Sequence, residues 1–332
     1  MSEQTPQLHL AYGPHVRRGR TTTEVMWLVN LALLPALLWA VFVFGWQAFA
    51  ITLSAVAGCV VAEYIACRVT RTPVTVGDGS VVCTGILLAY TLPPGMPLWM
   101  PFIGGALGVF FAKSVFGGLG YNLFNVALIG RAIMMATFPV AMTTAWLEPR
   151  YQDLGSAIDA LTGATPLAAM KDTPAGVAPD AFAGVPQDMD MWLSFLLGLR
   201  PGCIGEVSVA LIALGAAFLL WHRIIKLYIP LSVIAGAAVM AVFSDLPLIY
   251  LLSGGLWLGA FFMATDYVTS PATARGQIVF GLGIGLLTGI IRNWGGYPEG
   301  ICYAILLMNM LVPALDEWFP PKRVAPESGA PS

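Results

Sequence analysis

The sequence predicts an all-α membrane protein of about ten transmembrane helices. They fall into two inverted five-helix repeats with an extracytoplasmic loop between them. Three observations lead there. The 332 residues are 58% hydrophobic and only 10% charged, where soluble domains carry roughly a quarter charged residues. The apolar residues cluster into runs near the length a bilayer requires, about 20 residues per helix. One long polar stretch, residues 147–202, divides those runs five and five.

Residues 1–23 are polar, with Arg17, Arg18 and Arg20 just ahead of the first apolar run. No small-residue cleavage site follows that run, so it reads as a retained anchor rather than a signal peptide. The first membrane repeat, residues 24–146, holds expected spans at 24–44, 46–67, 81–92, 98–116 and 122–142. The second, residues 203–318, holds spans at 204–221, 227–243, 246–264, 278–291 and 301–315. Residues 319–332 form a polar tail. Several spans are too short to cross alone, and Gly/Pro-bounded short segments often mark places where backbone meets a cavity or cofactor. The 36 glycines and 24 prolines suit close helix packing and broken helices.

Orientation follows from Lys and Arg, which concentrate on the cytoplasmic side. With the N-terminus inside, eleven basic residues, among them Lys113, Arg223, Lys226 and Arg275, fall in inner loops; four, including Arg200 and Arg292, fall outside. Both termini are expected in the cytoplasm. The central loop is expected outside, in the periplasm of a Gram-negative cell, with the chain in the inner membrane. The net charge of −2 gives no sign of a nucleic-acid partner.

The segments FIGGALGVFFAKSVFGG from Phe102 and FGLGIGLLTGIIRNWGG from Phe280 match at a constant offset. Phe102 pairs with Phe280, Gly105 with Gly283, and Gly117-Gly118 with Gly295-Gly296. Five helices per half is odd, so the halves would lie upside down to each other, and inverted repeats build sites at the interface of their halves.

Charge inside a membrane is costly and defaults to function. Glu63 and Asp266 are candidates for handling a cation or proton. The plainer alternative for Glu63 is a local ion pair with Arg68. Arg131, in the fifth span, is expected to pair with a carbonyl or an acid. Asn122 and Asn125 either hydrogen-bond a ligand or cap the start of the fifth helix, which Asn does readily. Cys59, Cys67, Cys83, Cys203 and Cys302 form no CxxC pair and read as packing residues. His9 and His15 are too far apart for a metal site, and His222 beside Arg223 and Lys226 suits an anionic lipid surface. No GxGxxG follows a strand, and no Walker A or Ser-His-Asp set is present.

The central loop contains Asp159-Ala-Leu-Thr162-Gly163-Ala164-Thr165. As a string it is an ordinary turn. It is similar to the flavinylation signal of the RnfD and NqrB family, and the chain resembles that family from about residue 14 to 318. Three stretches carry the resemblance: GDGSVVCTGILLAYTLPPG from Gly77, FGGLGYNLFNVALIGRA from Phe116, and Met263 to Trp318. Thr162 is often Ser in the family. Tyr267 and Val126 stand where Pro is common. The long N-terminal region usual in NqrB is not seen, so RnfD is the nearer resemblance.

The resemblance implies a subunit of an ion-translocating ferredoxin:NAD oxidoreductase complex. It implies FMN joined to Thr165 by a phosphoester, with Asp159, Thr162, Gly163 and Ala164 forming the signal. It further implies non-covalent riboflavin near Asn122 and Asn125, and raises Asp266 as an ion-coupling residue. The implied partners are RnfA, RnfB, RnfC, RnfE and RnfG, with a flavin transferase for maturation. A stand-alone channel or secondary transporter on the same inverted-repeat fold is the competing reading, because fold alone does not decide function.

Overall fold

The computed structural model describes residues 20–147, 196–198, 202–206, 208–244, 247–297 and 299–320. The described residues contain helices and no strands. Helix α1 (Thr22–Phe44) starts on a capping box: Thr21 accepts from the Glu24 amide while the Glu24 carboxylate accepts from the Thr21 amide. This satisfies two of the donors a helix start leaves open. Next come α2 (Trp46–Thr70), α3 (Ser80–Tyr90), α4 (Trp99–Val109), α5 (Val126–Thr137) and α6 (Pro139–Thr144). The second half holds α7 (Val209–Trp221), α8 (Tyr228–Ala241), α9 (Pro247–Leu252), α10 (Leu256–Leu258), α11 (Ala274–Trp294) and α12 (Ile301–Trp318).

Among the described residues four helices, α1, α2, α11 and α12, are long and apolar enough to cross a membrane. That identifies a membrane protein; among the described residues several of the ten expected spans are not single continuous helices. The span expected at 122–142 is two helices, broken at Phe138 before Pro139. Proline has no amide to donate and is best accommodated in the first turn of a helix, where Pro139 stands. The span expected at 246–264 is also broken, at Ser253-Gly254-Gly255. Gly254 and Gly255 have φ of 70° and 62°, a left-handed backbone that glycine adopts freely. The sixth span begins with a 3-10 turn, Ile204–Glu206, before α7. Hydropathy averages across all three breaks, so it merges their pieces.

Two helix ends widen into π turns. The end of α4 does so over Phe110–Ser114, and the end of α10 over Gly259–Met263. Such turns often sit at functional sites. Both lie on the cavity described below.

In both halves glycine packs helices backbone to backbone. In the first half α2 meets α4: a Cβ on Gly58 would lie 2.1 Å from the Phe102 carbonyl oxygen, and one on Gly105 would lie 2.5 Å from that of Ala55. In the second half α8 meets α11: the corresponding distances are 2.8 Å from Gly236 to the Leu282 oxygen and 2.3 Å from Gly285 to that of Val233. The expected pairing of Gly105 with Gly283 does not hold at the level of contacts, because Gly283 faces Met308 on α12. Phe102 and Phe280 differ as well, the first exposed and the second buried. The halves share a packing device, but not the register that the string alignment suggests.

Gly285→Val is expected to destabilise the protein by about 1–3 kcal/mol, as overpacking does. Gly296→Val, where an added Cβ meets nothing within 4 Å, is the matched control. Thermal unfolding in detergent should lower the midpoint for the first variant only; equal midpoints would refute the close contact.

Candidate functional site

A cavity lies between the two halves. The start of α1 (Val25, Val29), α3 (Ser80, Cys83), Lys113 and the loop before α5 form one wall. Phe261 and Phe262 of the second π turn, with Thr265 and Asp266, form the other. It encloses about 800 Å³ of space between atoms, part of it open to the surroundings. Mostly apolar walls with a few convergent polar groups are the usual character of a small-molecule site.

Lys113 is its buried cation. Its Nζ donates to Glu63 Oε1 at 2.8 Å and to Ser80 Oγ at 2.9 Å, and Thr75 Oγ1 donates to the same Glu63 oxygen at 2.5 Å. Lys113 and Glu63 are each about 3% exposed. The local pair of Glu63 with Arg68 is therefore overturned. Arg68 instead donates to the Tyr64 hydroxyl, at 2.9 Å from Nη2, and lies over its ring. Four residues along a helix bring Arg68 onto Tyr64; five residues from Glu63 turn it away.

Gly117, Gly118 and Gly120 have φ of 105°, 105° and 95°, so the loop before α5 needs glycine. Asn122 braces that loop: its Nδ2 donates to the Phe124 carbonyl at 3.2 Å and its Oδ1 accepts from Gly120 at 3.4 Å. Asn125 is the helix cap, with Oδ1 accepting from the Leu128 amide at 3.3 Å. Its Nδ2 donates across the halves to the Met263 carbonyl at 3.2 Å. The expectation that both cap α5 holds for Asn125 alone. Buried Asn309 of α12 adds to the crossing. With its amide oriented to suit its neighbours, it accepts from the Asn125 amide and donates to the Thr269 carbonyl, both at 3.1 Å. Asp266 accepts from the Thr269 hydroxyl at 3.3 Å and lines the cavity.

A second polar cluster joins the halves elsewhere in the interface. Arg131 is paired with both a carbonyl and an acid: one Nη donates to the Thr91 carbonyl, the other to Glu299. Cys203 Sγ lies 3.3 Å from the Thr91 carbonyl oxygen and 3.5 Å from Glu299 Oε1. All five cysteines are buried and free, but Cys203 stands in a polar cluster with Glu206 rather than in plain apolar packing. The guanidinium already neutralises Glu299 here.

Two charges that the sequence places in loops are buried in helical turns. Lys113 is one. The other is Arg292 on α11, which donates to the carbonyls of Tyr250 at 2.7 Å, Ser253 at 2.9 Å and Gly254 at 3.1 Å. These bonds occupy carbonyls freed by the break after α9. Lys113 lies inside an apolar run, the signal that could have marked it as an intramembrane charge. Glu299 carries no such signal, since it lies in a short loop. The candidates Asp159, Thr162, Gly163, Ala164 and Thr165 lie outside the described residues.

Breaking a buried ion pair from one side leaves an uncompensated charge and costs about 3–5 kcal/mol. Glu63→Gln and Lys113→Met should each destabilise the protein to that degree. The double variant should lose much less than the sum of the two. Additive losses in thermal unfolding would show that the two residues are not coupled.

Residues 9–325 match the NQR2, RnfD, RnfE family model. The D-type subunit of the proton-translocating ferredoxin:NAD(+) oxidoreductase complex of Clostridium ljungdahlii is 41% identical over 320 residues, covering 94% of each chain. Its counterpart in the Na(+)-translocating ferredoxin:NAD(+) oxidoreductase complex of Acetobacterium woodii is 40% identical over 314 residues, covering 94% of this chain and 93% of its own. The counterpart in the ion-translocating oxidoreductase complex of Escherichia coli K12 is 34% identical over 350 residues, covering 94% and 97%. A match through nearly the whole length, on an all-helical membrane fold, establishes that this chain belongs to the NQR2, RnfD, RnfE family.

Proposed function

We propose that the chain is the D-type membrane subunit of an Rnf-type ferredoxin:NAD oxidoreductase complex. It carries covalent FMN and relays electrons, coupled to Na⁺ or H⁺ movement across the inner membrane. The observation that carries this reading is the near full-length similarity to the D-type subunits of such complexes, which spans the Asp159–Thr165 string. It also favours a complex subunit over a stand-alone channel or transporter. Partner subunits RnfA, RnfB, RnfC, RnfE and RnfG, and a flavin transferase, belong to the same proposal. So do the two inverted repeats, cytoplasmic termini and a periplasmic 147–202 loop. Setting aside Lys113 and Arg292 as buried still leaves the basic residues biased to the inner side.

FMN, when attached, supplies one- and two-electron redox chemistry. The Thr165 hydroxyl is the attachment point, and Asp159, Thr162, Gly163 and Ala164 form the segment that the transferase reads. A second flavin, non-covalent riboflavin, would occupy the cavity between the halves. Its support is the cavity's place between the halves and its mixed lining. Asn122 and Asn125 each spend one amide hydrogen on backbone and retain a second, since a carboxamide carries two. Ser80 and Lys113 would set the local charge. Asp266 and Glu63 are the proposed ion-coupling residues, with the Glu63 charge held by Lys113.

Thr165→Ala, made together with the flavin transferase, should abolish flavin fluorescence that survives SDS denaturation. Fluorescence equal to the parent would remove Thr165 from the account. Asp266→Asn should lower the ions moved per electron in vesicles; unchanged coupling would remove Asp266.

A further inference from the structure

A groove runs along the outside of the molecule between α1 and α7, lined by residues that line neither the cavity nor the buried clusters. Leu31, Leu34 and Leu38 form one rim, and Leu214 and Phe218 the other. Its floor is tight: a Cβ on Gly215 would lie 2.4 Å from the Ala32 carbonyl oxygen. The leucines are spaced for one helix face and remain about half exposed. At 1.5 Å per residue, seven residues make the slot roughly 10 Å long.

Its two ends differ in chemistry. One end closes on Trp221, which is 81% exposed. There α7 stops and the chain turns through His222 and Arg223 toward Lys226. Arg223 takes φ of 54°, a left-handed conformation that non-glycine residues rarely adopt. Arg20, just before α1, reaches the same place and donates Nη1 to the His222 carbonyl at 2.5 Å. Arg20, Arg223 and Lys226 are all exposed. None has a carboxylate within ion-pair distance among the described residues. A slot of hydrocarbon width with a Trp at its mouth and three cations beside it matches a phospholipid with an anionic headgroup. A packed partner helix would want small residues on the rim and would leave the cations unanswered.

We propose that the α1–α7 groove binds an anionic phospholipid, with an acyl chain along Leu34 and Phe218 and its phosphate at Arg20, Arg223 and Lys226. The full-length chain, purified in mild detergent and offered equal phosphatidylglycerol and phosphatidylcholine, should retain phosphatidylglycerol preferentially in native mass spectrometry. The Arg223→Gln/Lys226→Gln variant should reduce that retention roughly thirtyfold. Equal retention of both lipids by the parent would overturn the proposal, as would undiminished phosphatidylglycerol retention by a folded double variant. If the double variant does not fold, brominated phosphatidylglycerol decides with the parent chain. Quenching of Trp fluorescence that is reduced in Trp221→Phe supports the site; quenching unaffected by that change refutes it. A crosslink from Leu34→Cys to a helix of a partner subunit would likewise refute it, since the groove would then hold protein.

Discussion

Every buried polar group must find its partner inside the protein where lipid replaces water, and this fold has many such groups. Its helices break in mid-sequence at Phe138 and at Ser253-Gly254-Gly255, releasing carbonyls that helices usually consume. Arg292 takes three of them. Lys113 gathers Glu63 and Ser80, and Arg131 gathers Thr91 and Glu299. Three buried cations thus hold the irregular parts of an otherwise apolar bundle. Exchanging any of them for a hydrophobe would strand an acid or a set of carbonyls, and a stranded buried charge costs far more than the pair contributes.

One of these cations, Arg131, also joins the halves, and Asn125 adds a second tie. Arg131 on α5 reaches Glu299 ahead of α12, and Asn125 reaches Met263 and Asn309. Between and beside these ties the halves do not close, and the cavity results. Its walls combine two π turns, a glycine-dependent loop and the short helix α3. Irregular backbone at this depth is tolerated where it lines a cavity. The features that weaken the fold locally are thereby concentrated around the cavity.

The membrane character was legible in the sequence, because low charge and long apolar runs require a membrane. The helix breaks were not legible, because a hydropathy window averages over Pro139 and the 253–255 turn. Glu63 was recognisable as unusual but not its partner, since Lys113 is fifty residues away and only tertiary packing brings the two together. Lys113 and Arg292 looked like loop charges because each lies near the end of an apolar run. The repeat was visible as glycines and phenylalanines, yet glycine recurs so often here that the string alignment chose pairs that do not make equivalent contacts. The Thr165 string was informative only through its family resemblance; as physical chemistry it is a turn.

We propose that FMN is held covalently at Thr165. Mass spectrometry of the peptide containing Thr165, from protein matured with the flavin transferase, tests it most directly. The account predicts an added FMN phosphoester mass localised to the Thr165 side chain. An unmodified Thr165 in protein from a complex that transfers electrons would contradict it.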